Sequence, residues 1–134
     1  MGMVRAPGSK AYTHRALVAS LLSQGETIIQ GASECDDAQR TLEAIRSLGA
    51  RVQIQNGWIV SSGTEKLASC IDPIDCGESG ASLRFLTAIA GTSPTRTTLR
   101  ASESLAKRPL EPLLKAIETL GASTTISENK TALK

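Results

Sequence analysis

Aromatic residues are nearly missing from this chain: it has one Phe, one Tyr and one Trp in 134 residues. With so few stacking platforms and a formal net charge of only +2, it has neither the aromatic surface nor the basic field of a nucleic-acid binder. No nucleic-acid partner is expected. The three cysteines, Cys35, Cys70 and Cys76, are odd in number and contain no C-x-x-C pair, which argues against a disulfide framework and a zinc site. Reduced thiols in a cytoplasmic protein fit this usage. His14 is the sole histidine and has no second ligand at a metal-binding spacing, so no metal is expected. No apolar run approaches the roughly 20 residues of a membrane span, and the N-terminus has no signal-peptide core. Neither a membrane partner nor export is expected.

The residues present, 40% hydrophobic and 21% charged, describe one modest globular core. Ser9 is a natural N-cap, Ala16, Leu17, Ala19, Leu21 and Leu22 form an apolar stripe, and Gly25 is a stop, so a helix is predicted over 10–23. "ETIIQGA" reads as a strand. Asp36 and Asp37 suit the positive end of a second helix, in which Leu42, Ile45 and Leu48 recur at helical spacing before Gly49. "RVQIQNGWIVSS" alternates around Asn56-Gly57, a strong hairpin signal. Trp58, within that hairpin, reads as a core residue.

The second half repeats the first. "LEAIRSLGA" returns as "LKAIETLGA", and Gly49 recurs as Gly121, 72 residues later (121 − 49). "GESGASLRFLTAIAG" stands where "GSKAYTHRALVASLLSQG" stood, both glycine-rich loops opening a helix. "PTRTTLRA" supplies the intervening strand, and "KRPLEPLLKAIETLGA" the next helix with Pro109 in its first turn. The predicted fold class is α/β (α+β), built from β-α-β-α-β-β units at about 1–70 and 71–134. The second unit's closing hairpin is expected to be turning at "TTISENKTALK", near the end of the sequence.

Glycine-rich loops before helices offer free backbone N–H groups and a partial positive charge, a combination suited to anions. Here Lys10 and Arg15 accompany the first loop, Gly80 and Arg84 the second, and Lys107 and Arg108 precede the next helix. A basic pair at a helix start opposes the dipole, which a bound anion would explain. Each feature also has a plainer origin. "GSK" can be a simple cap, the arginines solvated surface charge, and Cys76 a buried structural thiol rather than a reactive one.

Together, "PGSKAYTHRALVASLLSQGETIIQGASECDDAQRTLEAIRSLGA", "CGESGASLRFLTAIAG" and "SLAKRPLEPLLKAIETLGA" resemble the N-terminal part of 5-enolpyruvylshikimate-3-phosphate synthase. The resemblance covers nearly the whole chain. It implies the enolpyruvyl transferase fold, with about two of the three units of one domain, here a partial N-terminal substrate-binding domain over 1–134. The implied activity transfers the enolpyruvyl group of phosphoenolpyruvate to the 5-hydroxyl of shikimate 3-phosphate, in the shikimate pathway of aromatic amino acid biosynthesis. Lys10 resembles the lysine that touches both substrates and Arg15 the arginine of the shikimate portion. Gly80 matches the glycine of the phosphoenolpyruvate site, and Arg108 the arginine that holds that substrate's phosphate. Ser9 and Arg84 match supporting positions. No metal or organic cofactor is implied.

Two departures stand out. Ala11 replaces a serine whose hydroxyl contacts the shikimate phosphate, and Glu78 puts a carboxylate in the glycine-rich motif, where it would repel phosphoenolpyruvate unless it pairs or points away. The resemblance places the general acid and base groups, and a further substrate loop, after residue 134. The 134-residue chain is therefore expected to be inactive by itself, and to need the remainder of the enzyme. A missing third unit would also leave helix surface open to self-association. Other readings are a non-catalytic anion-binding or folding unit, and part of a UDP-N-acetylglucosamine enolpyruvyl transferase.

Overall fold

The computed structural model describes residues 2–4, 6–127 and 130–133. Helix α1 spans Lys10–Leu22, and the Ser9 hydroxyl accepts from the backbone N–H of Tyr12 at its start. Its buried face is Thr13, His14, Leu17, Ser20 and Leu21. Strand β1, Glu26–Ile29, leads to α2, Asp36–Ser47, whose first turn carries Asp36 and Asp37. Strands β2, Arg51–Gln55, and β3, Trp58–Ser62, form the predicted hairpin. Asn56 and Gly57 sit at φ 52° and 78°, the paired left-handed residues that let a two-residue turn match strand twist.

The second unit runs β4, Ile74–Asp75, α3, Gly80–Ala90, and β5, Thr97–Arg100. It continues with α4, Glu103–Ala106, α5, Glu111–Thr119, β6, Thr124–Ser127, and β7, Lys130–Leu133. The strand orders β1-β3-β2 and β5-β7-β6 match, with β4 added in parallel beside β5. Register matches too. Glu26 pairs with Ser62, which pairs with Arg51, and Thr97 pairs with Leu133, which pairs with Thr124. The internal repeat in sequence is thus a repeat in space.

The helices α1, α2 and α3 pack on one another, and the two sheets flank them. Leu17, Leu21, Ile45, Leu48, Leu86, Leu99 and Leu105 are fully buried in one continuous core that spans both units. No helix is long and apolar enough to cross a membrane among the described residues.

Some expectations need correction. No strand precedes α1 among the described residues, so only the second unit shows its opening strand. Trp58 is 46% exposed, because its register with Gln55 puts it on the face opposite the buried Ile59. The closing hairpin of the second unit falls where the sequence places it, with β7 paired to both β5 and β6; Glu128 and Asn129 lie outside the described residues.

Pro109 lies before α5, not in its first turn. The proline of that turn is Pro112, whose missing N–H would have no partner there anyway. The cause is α4, which the sequence reading did not separate: Ser102 caps it by accepting from Leu105 N–H, and Lys107 ends it. Lys107 therefore sits at a helix C-terminus, bonded to Glu103 at 2.8 Å, where a cation suits the dipole. It needs no bound anion to explain it.

Candidate functional site

Both glycine-rich loops do end in capped helix starts. Ser79 accepts from the Ser82 N–H as Ser9 does from Tyr12, and the two starts open on one cavity of about 550 Å³. Lys10 comes from α1, Asp37 from α2, Glu78, Gly80 and Arg84 from the second loop and α3, and Arg108 from the segment after α4. Residues far apart in sequence are thus brought to one concavity through the packing of α1, α2 and α3.

The Lys10 ammonium donates to an Asp37 carboxylate oxygen at 2.9 Å, and this bond, with the charge behind it, raises the lysine pKa above its ordinary value. Arg84 donates from Nη1 to the Gly80 carbonyl at 3.3 Å and from Nη2 to the Pro109 carbonyl at 3.2 Å. It ties the first turn of α3 to the segment that carries Arg108. Among the described residues, neither Arg84 nor Arg108 forms a salt bridge. Arg108 in that condition suits bidentate contact with a phosphate or carboxylate, while Arg84, held by two carbonyls, adds its charge from a fixed place.

The two cavity glycine motifs differ in why they need glycine. A Cβ on Gly80 would stand 3.1 Å from Arg84 Nη1 and 3.5 Å from Arg108 Nη1, so a side chain there would enter the space before both guanidiniums. A Cβ on Gly8 would run into the Gly31 backbone carbonyl. Gly8 is required by backbone packing, Gly80 by access to the cavity.

Glu78 lines the cavity, and its carboxylate accepts from the Ser104 hydroxyl. Hydrogen bonds from Ser102 and Ser104, helped by the nearby Arg108 charge, hold it below the usual carboxylate range. The cavity therefore presents three cations and two carboxylates, with Asp37 held by Lys10 and Glu78 by a hydroxyl. The cations at Arg84 and Arg108 remain for an incoming anion.

Arg15 does not line this cavity. Its Nη1 donates to the Ala11 carbonyl at 2.9 Å, and its guanidinium lies 5.9 Å from the Phe85 ring centre, an arrangement that holds the charge by cation–π attraction. Ala11 is exposed at the start of α1. Of the sequence-derived candidates, the fold brings Lys10, Gly80, Arg84 and Arg108 together, while Ser9 acts as a cap and Arg15 stays to one side. Asp37 is the residue that sequence reasoning missed as a site member, since a carboxylate in a first helical turn carries its own local explanation. Cys76 is buried, and that burial pushes its thiol up to about 12, so it is unreactive at neutral pH.

Comparison with known proteins shows the family of the chain. The sequence model of the EPSP synthase family, 3-phosphoshikimate 1-carboxyvinyltransferase, matches residues 1–134. The 3-phosphoshikimate 1-carboxyvinyltransferase of Methanothermobacter thermautotrophicus is 39% identical over 120 residues, 90% of this chain and 29% of that protein. The one from Nitrosopumilus maritimus is 31% identical over 133 residues, 99% of this chain and 32% of its length. The chain thus spans 28% to 32% of the length of curated relatives such as these. Among solved structures, EPSP synthase from Acinetobacter baumannii superposes with a TM-score of 0.88 at 26% identity, over 99% of this chain and 32% of that one. The enolpyruvyl transferase NikO from Streptomyces tendae shares the fold at a TM-score of 0.57 and 16% identity, over 92% of this chain and 29% of its own. With a family model matched from end to end and an EPSP synthase structure superposing on nearly every residue, the chain belongs to the EPSP synthase family.

Proposed function

We propose that this chain forms part of the substrate-binding domain of an enzyme that moves the enolpyruvyl group of phosphoenolpyruvate onto the 5-hydroxyl of shikimate 3-phosphate. The observation that carries the reading is the convergence of Lys10, Arg84 and Arg108 over Gly80, with neither arginine in a salt bridge among the described residues. Both substrates are multiply anionic, and a guanidinium pair beside a helix N-terminus suits a phosphate. Arg108 holds the phosphate of phosphoenolpyruvate, Lys10 reaches both ligands, and Gly80 leaves room for them. Arg15, beside the cavity, serves the shikimate portion, where Ala11 offers no hydroxyl.

In the reaction, the 5-hydroxyl adds to the enolpyruvyl carbon and phosphate then leaves. The cations of this chain stabilise the charge on the transferring group. Proton transfer needs general acid and base groups, which this reading assigns to the remainder of the enzyme in the cytoplasm. The cavity is open to water, so each charge contact counts for less than in a closed site. Affinity for either substrate should be millimolar, on the order of −4 kcal/mol.

Titration of the 134-residue chain with each substrate, following backbone amide shifts, tests this. Saturable shifts clustered at 7–15, 77–84 and 105–110 are expected. Saturable binding with shifts elsewhere, or none from either substrate at tens of millimolar, would reject the reading.

A further inference from the structure

Behind the cavity runs a buried chain of polar side chains. The His14 Nδ1 lies 2.6 Å from Thr41 Oγ1, Thr41 Oγ1 lies 2.7 Å from Ser82 Oγ, and Ser82 donates to Ser79 Oγ at 2.6 Å. All four residues are buried. They join α1, α2 and α3, and each stands one turn or less from a residue lining the cavity. His14 follows Lys10 by one turn, Thr41 follows Asp37 by one turn, and Ser79 and Ser82 flank Gly80. Thr41 and Ser82 also each lie 3.4 Å from the Asp37 carbonyl oxygen, the backbone of the residue that holds Lys10.

The direction of the chain can be followed proton by proton. Ser82 gives its hydroxyl proton to Ser79, so Thr41 must give its own to Ser82. His14 then has to supply Thr41 with a proton from Nδ1. In a neutral ring this leaves Nε2 as the bare lone pair, and Nε2 is buried without a partner. An orphaned ring nitrogen costs free energy. A plain apolar contact at this three-helix junction would avoid that cost, whereas a directional chain adds a constraint on which face each helix turns to the others.

Resting on the reading of this cavity as the substrate site, we propose that the relay His14–Thr41–Ser82–Ser79 is its positioning element, setting Lys10 of α1 and Gly80 of α3 at the spacing a shared anion requires. None of the four touches the anion. They act through Lys10, Asp37 and Gly80. The relay also accounts for polar residues that interrupt the apolar stripes of three helices where those helices pack together.

The test uses the 134-residue chain, with inorganic phosphate and phosphoenolpyruvate as probes. Thr41→Val keeps the branched shape and removes the hydroxyl, Thr41→Ser keeps the hydroxyl, and Ser82→Ala breaks the next link should the valine variant fail to fold. Long-range nitrogen–proton spectra should show His14 protonated at Nδ1, and this pattern should change in Thr41→Val and persist in Thr41→Ser. Phosphoenolpyruvate affinity should fall at least threefold in Thr41→Val or Ser82→Ala with the amide dispersion native, and return in Thr41→Ser. Native affinity in the folded valine or alanine variant, or a loss in Thr41→Ser equal to that in Thr41→Val, would overturn the relay and leave the site reading standing. No saturable binding of either probe by the wild-type chain would overturn both, even with the His14 signature in place.

Discussion

Lys10 Nζ and Asp37 Oδ2 are 2.9 Å apart, so the first cation of the cavity is held by a carboxylate from a different helix. The pair is exposed enough for solvent to reach it, and its value lies in placement rather than stability. Asp37→Asn keeps the backbone carbonyl and shape but removes one negative charge beside the cavity. Phosphate should then bind about threefold tighter at low salt, with the gain shrinking as ionic strength rises. Weaker phosphate binding in the variant at low salt would mean that holding Lys10 matters more than the charge removed.

Arg108→Ala should weaken phosphate and phosphoenolpyruvate binding by about tenfold or more, since a hydrogen bond to a charged group contributes about 1.5–3 kcal/mol. Arg15→Ala should leave inorganic phosphate within twofold and reduce only shikimate 3-phosphate binding. Amide-shift titrations of the two variants separate these outcomes, and equal losses for phosphate would contradict the geometry of Arg15 over Phe85.

Gly80→Ala places a methyl before two flexible guanidinium ends, whereas Gly8→Ala drives one into a backbone carbonyl. The first should melt within a few degrees of wild type and bind anions several-fold less well. The second should lose about 3 kcal/mol or more, above the usual cost of overpacking because backbone must move. Thermal melts paired with phosphate titrations check both. A Gly8→Ala chain as stable as wild type would refute the packing argument.

Asp75 joins α2 to the second unit, accepting from Arg40 at 2.8 Å and Arg100 at 3.2 Å. Burial alone would raise its pKa. The Gly77 N–H and the two arginines outweigh that effect and lower it. A depressed native pKa contributes stability that is complete above the unfolded carboxylate value of about 3.9 and is lost as pH falls through the native one. Asp75→Asn should cost about 1 kcal/mol at neutral pH, discounted for partial exposure, and should flatten the acid limb of the stability profile below about pH 4. Denaturant melts at pH 7 and pH 3 give the comparison, and an unchanged acid limb would count against the pair.

The 134-residue chain should show no phosphate release from phosphoenolpyruvate when shikimate 3-phosphate is present. Arg and Lys can bind and neutralise charge, but a transferase also needs groups that move protons near neutral pH. The one histidine is buried, and burial pushes its pKa below the usual imidazole value. Turnover above a denatured control would contradict the assignment of proton transfer to the rest of the enzyme.

Local chemistry was enough to read α1, α2, the Asn56-Gly57 hairpin and the two-unit repeat from the sequence, because caps, apolar spacing and left-handed turn residues act within a few positions. Lys10, Gly80 and Arg108 were legible as candidates because each stands in a loop or first turn where a helix begins or a basic pair precedes one, and the fold brings the three to one cavity. Long-range packing decided the rest. Nothing near Asp37 in sequence marks it as the partner of Lys10, 27 residues away. His14, Thr41 and Ser82 look like breaks in three separate apolar stripes until the helices meet. Trp58 faces outward because pairing with Gln55 sets its side of the sheet. Pro109 falls outside α5 because Ser102 opens a separate short helix, α4, which ends at Lys107 just before it. A helix start can be read from its own residues, but which charge it faces across a cavity depends on how separate helices pack, and that is settled only when the shared core forms.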